Sequence, residues 1–247
     1  MTELLREAFP ERPEMGPALS RVLLDQVASG ERPATVRLSH PGRVVAFGRR
    51  DTKAPGYPVA VAAAREHGFG GMERLTGGRA AAYSEGTVSL TLTLPDPAPA
   101  ERTDQRFRDA SELARAAFAS LGIDARIGEV PGEYCPGDSS VNARGRVKLA
   151  GIGQRMIKGA AHVGFVIVVS DAGLIRRVLD PVYAALELDW NPETVGAVED
   201  EAPGATLDSV EKALLGQLES RYSVRPAELD EDTIALARAR APDFRSP

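Results

Sequence analysis

Residues 87–94, Thr-Val-Ser-Leu-Thr-Leu-Thr-Leu, alternate polar and apolar side chains without a break. A period of two places Val88, Leu90, Leu92 and Leu94 on one face of an extended chain and Thr87, Ser89, Thr91 and Thr93 on the other, so this is a half-buried strand. A second segment, Val-Gly-Phe-Val-Ile-Val-Val at 163–169, is apolar throughout and reads as a buried strand, far too short to span a bilayer. Both need a sheet to join. Further strands are expected at 34–40 and 43–48, around the His40-Pro41-Gly42 turn, and at 125–130, 146–157 and 160–169, around the cysteine loop. Between them lie helical spacings. Leu19, Val22, Leu23 and Val27 share one face of a helix over 17–29. An alanine-rich helix over 58–68 ends at Gly68, and Phe107, Leu113, Ala117 and Phe118 form the inner stripe of a helix over 103–121. A helix over 172–186 is expected to break or kink at Pro181. Runs of strands with irregularly interleaved helices predict an α+β architecture, a mixed β-sheet with flanking helices.

Residues 191–206 are acidic and punctuated by Pro and Gly. They divide a main domain, 1–190, from an acidic loop and C-terminal helices, 191–247, that pack on the same domain. Helices are expected at 206–222, capped by Thr206 or Asp208 and striped by Val210, Leu214 and Leu218, and at 230–240.

The chain has 247 residues, one cysteine and a formal net charge of −5. One cysteine excludes an intrachain disulfide framework and fits a reducing cytoplasm. The acidic, proline-interrupted start does not read as a secretory signal. The negative balance argues against a nucleic-acid partner, and no segment is long and apolar enough to imply a membrane partner. No HxxxH, CxxC or carboxylate cluster occurs, so no metal site is expected, and the GxSxG elbow of a serine hydrolase is absent.

Chemistry concentrates in residues 132–155. The lone thiol, Cys135, sits among Tyr134, Pro136, Gly137 and Asp138, a turn setting unlike that of a packing cysteine. Between Ser139 and Ser170 there is no acidic residue, whereas Arg144, Arg146, Lys148, Arg155 and Lys158 are all present. Such segregation predicts a positive surface for an anionic substrate or acidic partner, although a solvated hairpin has the same composition. A positive field lowers a thiol's pKa, which pairs Cys135 as nucleophile with Lys148 as its electrostatic partner. Gly77 and Gly78 lie at a strand–turn–strand junction where backbone N–H groups can reach a ligand, although an isolated Gly-Gly is more often a plain hairpin turn. His162 reads most simply as a core histidine.

Four blocks in this order, residues 44–68, 74–90, 133–155 and 162–169, resemble the superfamily of lipoate–protein ligase A and the lipoyl/octanoyl transferases. The resemblance spans about residues 16–222 and implies the biotin/lipoate protein ligase-like catalytic fold. It also implies attachment of a lipoyl or octanoyl chain to one lysine of a lipoyl carrier domain. Tyr-Cys-Pro-Gly-Asp followed by Gly-Ile-Gly-Gln-Arg is similar to the cysteine-dependent octanoyl amidotransferase branch, in which the cysteine carries the acyl group as a thioester. By that resemblance Cys135 is the nucleophile and Lys148 stands where the activating lysine does. Arg74, Thr76, Gly77, Gly78 and Arg79 correspond to the acyl-binding loop, with Gly151 and His162 as further substrate-binding candidates. Lipoate ligases proper carry a third glycine and then an aliphatic–aromatic–His-Asp sequence there. This chain has Arg79, then Tyr83 and Ser84. The transferase reading implies no cofactor, whereas a ligase would use ATP and Mg²⁺ through an acyl-adenylate held by Lys148. A catalytically silent protein that binds lipoyl domains or acyl ligands is the remaining expectation.

Overall fold

The computed structural model describes residues 1–247. In chain order its elements are β1 (Thr2–Leu5), α1 (Met15–Ser29), β2 (Thr35–Ser39), β3 (Val44–Phe47), α2 (Tyr57–Glu66), β4 (Gly70–Glu73), β5 (Ala81–Tyr83) and β6 (Thr87–Asp96). There follow α3 (Thr103–Ser120), β7 (Ala125–Ile127), β8 (Val141–Ala143), β9 (Val147–Ile157), β10 (Gly159–Val168) and α4 (Ala172–Ala185). The chain closes with α5 (Val198–Glu201), α6 (Leu207–Glu219), β11 (Val224–Pro226) and α7 (Glu231–Arg240).

Eight strands form a mixed sheet in the order β11-β1-β2-β6-β10-β9-β8-β7. β1 runs parallel to both its neighbours, and the pairs from β2 to β7 are antiparallel. A smaller sheet has the order β4-β3-β5. The α+β expectation is met. Two pairings differ from the simplest sequence reading. The His40-Pro41-Gly42 turn joins no hairpin, because β2 belongs to the large sheet and β3 to the small one. The Gly77-Gly78 loop also closes no hairpin, since β4 and β5 both pair with β3 and flank it. Strands of three or four residues such as β1, β4 and β8 carry too short a pattern for periodicity to expose.

The period-two pattern orients the central strands. Val88, Leu90 and Leu92 of β6 and Val163, Phe165 and Ile167 of β10 point into one apolar cluster with Leu113, Ala117 and Phe118 of α3 and Val210, Leu214 and Leu218 of α6. Phe107 is only half-buried, and Arg106 and Ala110 take its place on the inner stripe of α3. A second cluster joins the small sheet to α2 and α4, and a third packs Leu5 and α1 against Ala237 of α7. α4 runs through Pro181 as one element, so the expected break does not occur. Thr206 caps α6 in a reciprocal box that Ser209 closes, which leaves Glu211 free to pair with His40.

Candidate active site

Two loops and one strand meet at the β9 side of the large sheet. The loop from Arg74 to Ala80, strung between the outer strands of the small sheet, meets the loop before β8 that carries Cys135. Lys148, near the start of β9, lies behind both. Cys135 adopts a left-handed backbone with φ 44°, a conformation unfavourable for a residue with a Cβ unless its surroundings hold it there. They do. The Cys135 N–H donates to the Tyr183 hydroxyl at 2.7 Å, and that hydroxyl donates to the Ala80 carbonyl at 2.9 Å. One phenol from α4 thereby ties the cysteine loop to the glycine loop.

The sulfur itself accepts two hydrogen bonds, from Arg74 Nη2 and from the Arg79 backbone N–H, each at 3.2 Å. Gly78 lies between them with φ +106°, and a Cβ there would stand 2.7 Å from Sγ and overlap the Arg74 guanidinium. A Cβ on Gly48 would likewise overlap the Gly78 carbonyl. Glycine at both positions is what lets the N–H reach the sulfur. Gly77 has open space around it, so only one member of the pair is sterically required. The Arg79 side chain turns away from the sulfur. Its Nη1 meets the fully buried Asp51 at 3.2 Å, and Asp51 also accepts the Gly48 N–H at 2.9 Å.

Lys148 is fully buried and does not touch Sγ. Nζ donates to Glu133 Oε1 at 2.8 Å, to the Tyr134 carbonyl at 3.0 Å and to the Cys135 carbonyl at 2.9 Å, and lies 4.8 Å from the Tyr134 ring centroid. Glu133 accepts in turn from the Val130 N–H and the Ser140 hydroxyl. Lys148 therefore acts on the thiol through its charge and without contact: the lysine grips the backbone that presents the cysteine, and Arg74 is the cation in contact with sulfur. Burial alone pushes the thiol pKa up. The Arg74 charge and then Lys148, with hydrogen bonds from Arg74 and the Arg79 N–H, outweigh it and hold Cys135 below the ordinary thiol value.

The surface expected from the basic run is also smaller than its composition. Arg144, Arg146, Arg155 and Lys158 are exposed, Lys148 is not, and Arg144 pairs with Glu201. A groove of about 600 Å³ instead collects Arg21, Arg49, Lys53, Arg155 and Arg240 from four separate segments and shares Arg74, Leu75 and Thr76 with the thiol site. No local sequence pattern could have revealed it.

Beneath the thiol a cavity of about 90 Å³ runs over the sheet, room for roughly six to nine water-sized spheres. Arg74, Thr76, Cys135, Lys148, Gly151 and His162 line it, whereas Gly77 borders the basic groove and Gly78 and Arg79 stand at the sulfur. A Cβ on Gly151 would press on Lys148 Cε at 3.2 Å. His162 is buried, its Nδ1 3.0 Å from the Thr93 hydroxyl, and burial takes its pKa down to about 3, so it is a neutral imidazole in the wall. Glu133, Asp51 and Tyr183 are the site residues that the sequence reading missed. Glu133 had a signal in its place two residues before the thiol; Asp51 and Tyr183 had none. No group of three or more His, Cys, Asp or Glu side chains is gathered as a metal site would need, and no helix is long and apolar enough to cross a membrane.

A family model described as the lipoyl protein ligase A/B catalytic domain matches residues 12–219. The chain is 30% identical over 162 residues to the octanoyl-GcvH:protein N-octanoyltransferase of Geobacillus kaustophilus, covering 66% of this chain and 57% of that relative. It is 29% identical over 191 residues to the Bacillus velezensis protein of the same name, covering 75% and 65%. The lipoyl-GcvH:protein N-lipoyltransferase of Listeria monocytogenes is 25% identical over 193 residues, with 74% and 69% covered. The chain thus spans 57–65% of the length of the first two. Among solved structures, a lipoate protein ligase from T. acidophilum with bound lipoic acid superposes with a TM-score of 0.79 at 21% identity, over 98% of this chain and 95% of that one. A lipoate-protein ligase A bound with ATP gives 0.78 at 20% identity, over 98% and 94%. At such identities the structural likeness establishes the fold.

Proposed function

The chain belongs to the lipoyl protein ligase A/B catalytic-domain family, and on that premise we propose that it transfers an octanoyl or lipoyl group to a lysine of a lipoyl carrier domain through a thioester on Cys135. The supporting observation is the sulfur in the wall of the cavity, held between the Arg74 guanidinium and the Arg79 N–H. The relatives' names put the donor acyl group on a carrier protein, and the same class of donor is proposed here.

The thiolate attacks the donor's acyl carbon, and the carbonyl π pair moves to oxygen. As Sγ passes its charge to that oxygen, the Arg74 and Arg79 donors lie beside the oxyanion that forms. Collapse breaks the bond to the donor's lysine nitrogen, which takes up a proton, and leaves the acyl group on Sγ. A neutral acceptor lysine then attacks the thioester, gives up one proton and releases the thiolate. The cycle is proton-neutral and uses no nucleotide. The basic groove beside the thiol site suits an acidic carrier domain, drawn in over the roughly 8–10 Å that salt permits. The site's place is proposed to be the cytoplasm, where a lone reduced thiol persists.

The same groove favours a second reading, in which it holds the phosphates of ATP and the chain makes an acyl-adenylate from free acid. Two parallel reactions separate the readings. An octanoyl-loaded carrier with an unmodified carrier and no ATP should give transfer. Free octanoate or lipoate with ATP, Mg²⁺ and carrier should give none. Efficient modification in the second mixture, with stoichiometric pyrophosphate, would overturn the transferase.

A further inference from the structure

Arg79 reaches the sulfur through its backbone N–H, and something must aim that N–H. The peptide unit joining Gly78 to Arg79 is trans, so its N–H and its carbonyl point opposite ways. The N–H donates to Sγ at 3.2 Å. The carbonyl backs onto Gly48, where a Cβ would overlap it. Little within the loop sets this plane: Gly77 has open space around it and Gly78 sits at φ +106°, so two glycines precede the unit with no side chain to resist rotation. The constraint comes from the turn after β3. Asp51 there is fully buried, its Oδ1 meets Arg79 Nη1 at 3.2 Å, and its Oδ2 accepts the Gly48 N–H at 2.9 Å. One carboxylate thus holds both the side chain that follows the peptide unit and the glycine that backs its carbonyl. The Asp51 and Thr52 N–H groups close the turn on the Gly48 carbonyl at 2.9 and 3.1 Å. Arg49 and Arg50, the neighbours of Asp51 in sequence, are exposed, and the cation that pairs with it comes from 28 residues away. Burying an ion pair yields little net stability, so position is the better account of it.

We propose that Asp51 is a positioning residue for the transfer reaction: by gripping Arg79 and Gly48 it aims the Arg79 N–H at the Cys135 sulfur. The proposal rests on the reading of Cys135 as the nucleophile. Its test uses neither donor nor carrier, so a normal transfer rate in Cys135→Ser would sink that reading without touching the result. Alkylation of Cys135 by iodoacetamide is followed against pH in the unaltered protein and in Asp51→Asn. The other charges near the thiol, Arg74, Lys148 and Glu133, stay as they are, and burial keeps Tyr83, Tyr134 and Tyr183 neutral phenols. Removing a carboxylate makes the field around the thiol more positive, which by itself lowers the alkylation midpoint. Taking the N–H off the sulfur raises it. The expected result is a rise of roughly half to one pH unit, the loss of one charge-assisted hydrogen bond less the opposing change in field. The double variant Asp51→Asn, Arg79→Met removes one charge of each sign, leaves no lone buried charge if the single variant fails to fold, and should show a rise at least as large. A midpoint that falls or stays in place in either variant would overturn the proposal and leave the pair as a contact that only neutralises Asp51.

Discussion

β6 and β10 present two faces built by alternate residues of the same strands, and the faces differ in almost everything but burial. On one side Leu90, Leu92, Val163 and Phe165 pack into the apolar cluster under α3 and α6. On the other, Ser89, Thr91, Thr93 and His162 are 1–8% exposed, yet they line or adjoin the cavity that Cys135 also lines. A polar alternate face ordinarily meets water. Here it is roofed by α1 and the small sheet's loops, so the alternation separates a core from a chamber. The apolar face holds the sheet together. The polar one tolerates Gly151, Gly153 and Gly164, and the space they leave is the cavity floor.

Several substitutions break or sharpen that contrast, taken from the largest effect down. Cys135→Ser should reduce acyl transfer to background with the circular dichroism spectrum unchanged, since a serine alkoxide is far harder to form near neutral pH than this thiolate. Transfer at the normal rate would move the chemistry off the sulfur. On the core face, Phe165→Ala should cost about 3–5 kcal/mol in denaturant unfolding. Glu133→Gln should approach that figure, about 3–5 kcal/mol, because it strands the buried Lys148 without its counter-charge. A loss below ~1 kcal/mol would mean that the pair does not hold the cysteine loop.

A subtler effect separates the two cations. Alkylation of Cys135 followed against pH should have a midpoint below the ordinary thiol value of about 8.5. Arg74→Met removes the larger favourable charge and should move that midpoint up, so the rising limb of the transfer–pH profile shifts to higher pH and the thiolate fraction at pH 7 falls. Lys148→Met should move it less, while loosening the loop. Equal shifts would mean that a diffuse positive field matters and that contact with sulfur does not. The smallest change is expected from Thr91→Val on the cavity face, no more than about 1.5 kcal/mol. A loss there equal to that of Phe165→Ala would erase the distinction between the faces.

The contrast also explains how much was legible in the sequence. Periodicity over eight residues displayed β6, and an apolar run displayed β10, because long strands repeat their environment often enough to be read. Short strands such as β1, β4 and β8 do not. The thiol and its glycine neighbour stood out by residue type in an unusual setting. The partnership between them did not, because contact between Arg74 and Cys135 depends on how two loops fold over the small sheet. Lys148 was placed near the thiol as a charge, but thirteen residues of spacing could not disclose that its ammonium faces carbonyls and Glu133. Asp51 and Tyr183, which pin the loops from behind, carry no local mark of that task.

The central claim is that Cys135 bears the acyl group between donor and acceptor, and intact-mass spectrometry tests it most directly. The protein is mixed with an octanoyl-loaded carrier domain, without acceptor or ATP, and quenched in acid. The account predicts a single added octanoyl mass, mapped by digestion to the peptide holding Cys135, removed by hydroxylamine and discharged when unmodified carrier is added. Transfer to an acceptor at full rate with no adduct at any time, or an adduct that survives Cys135→Ser, would contradict it.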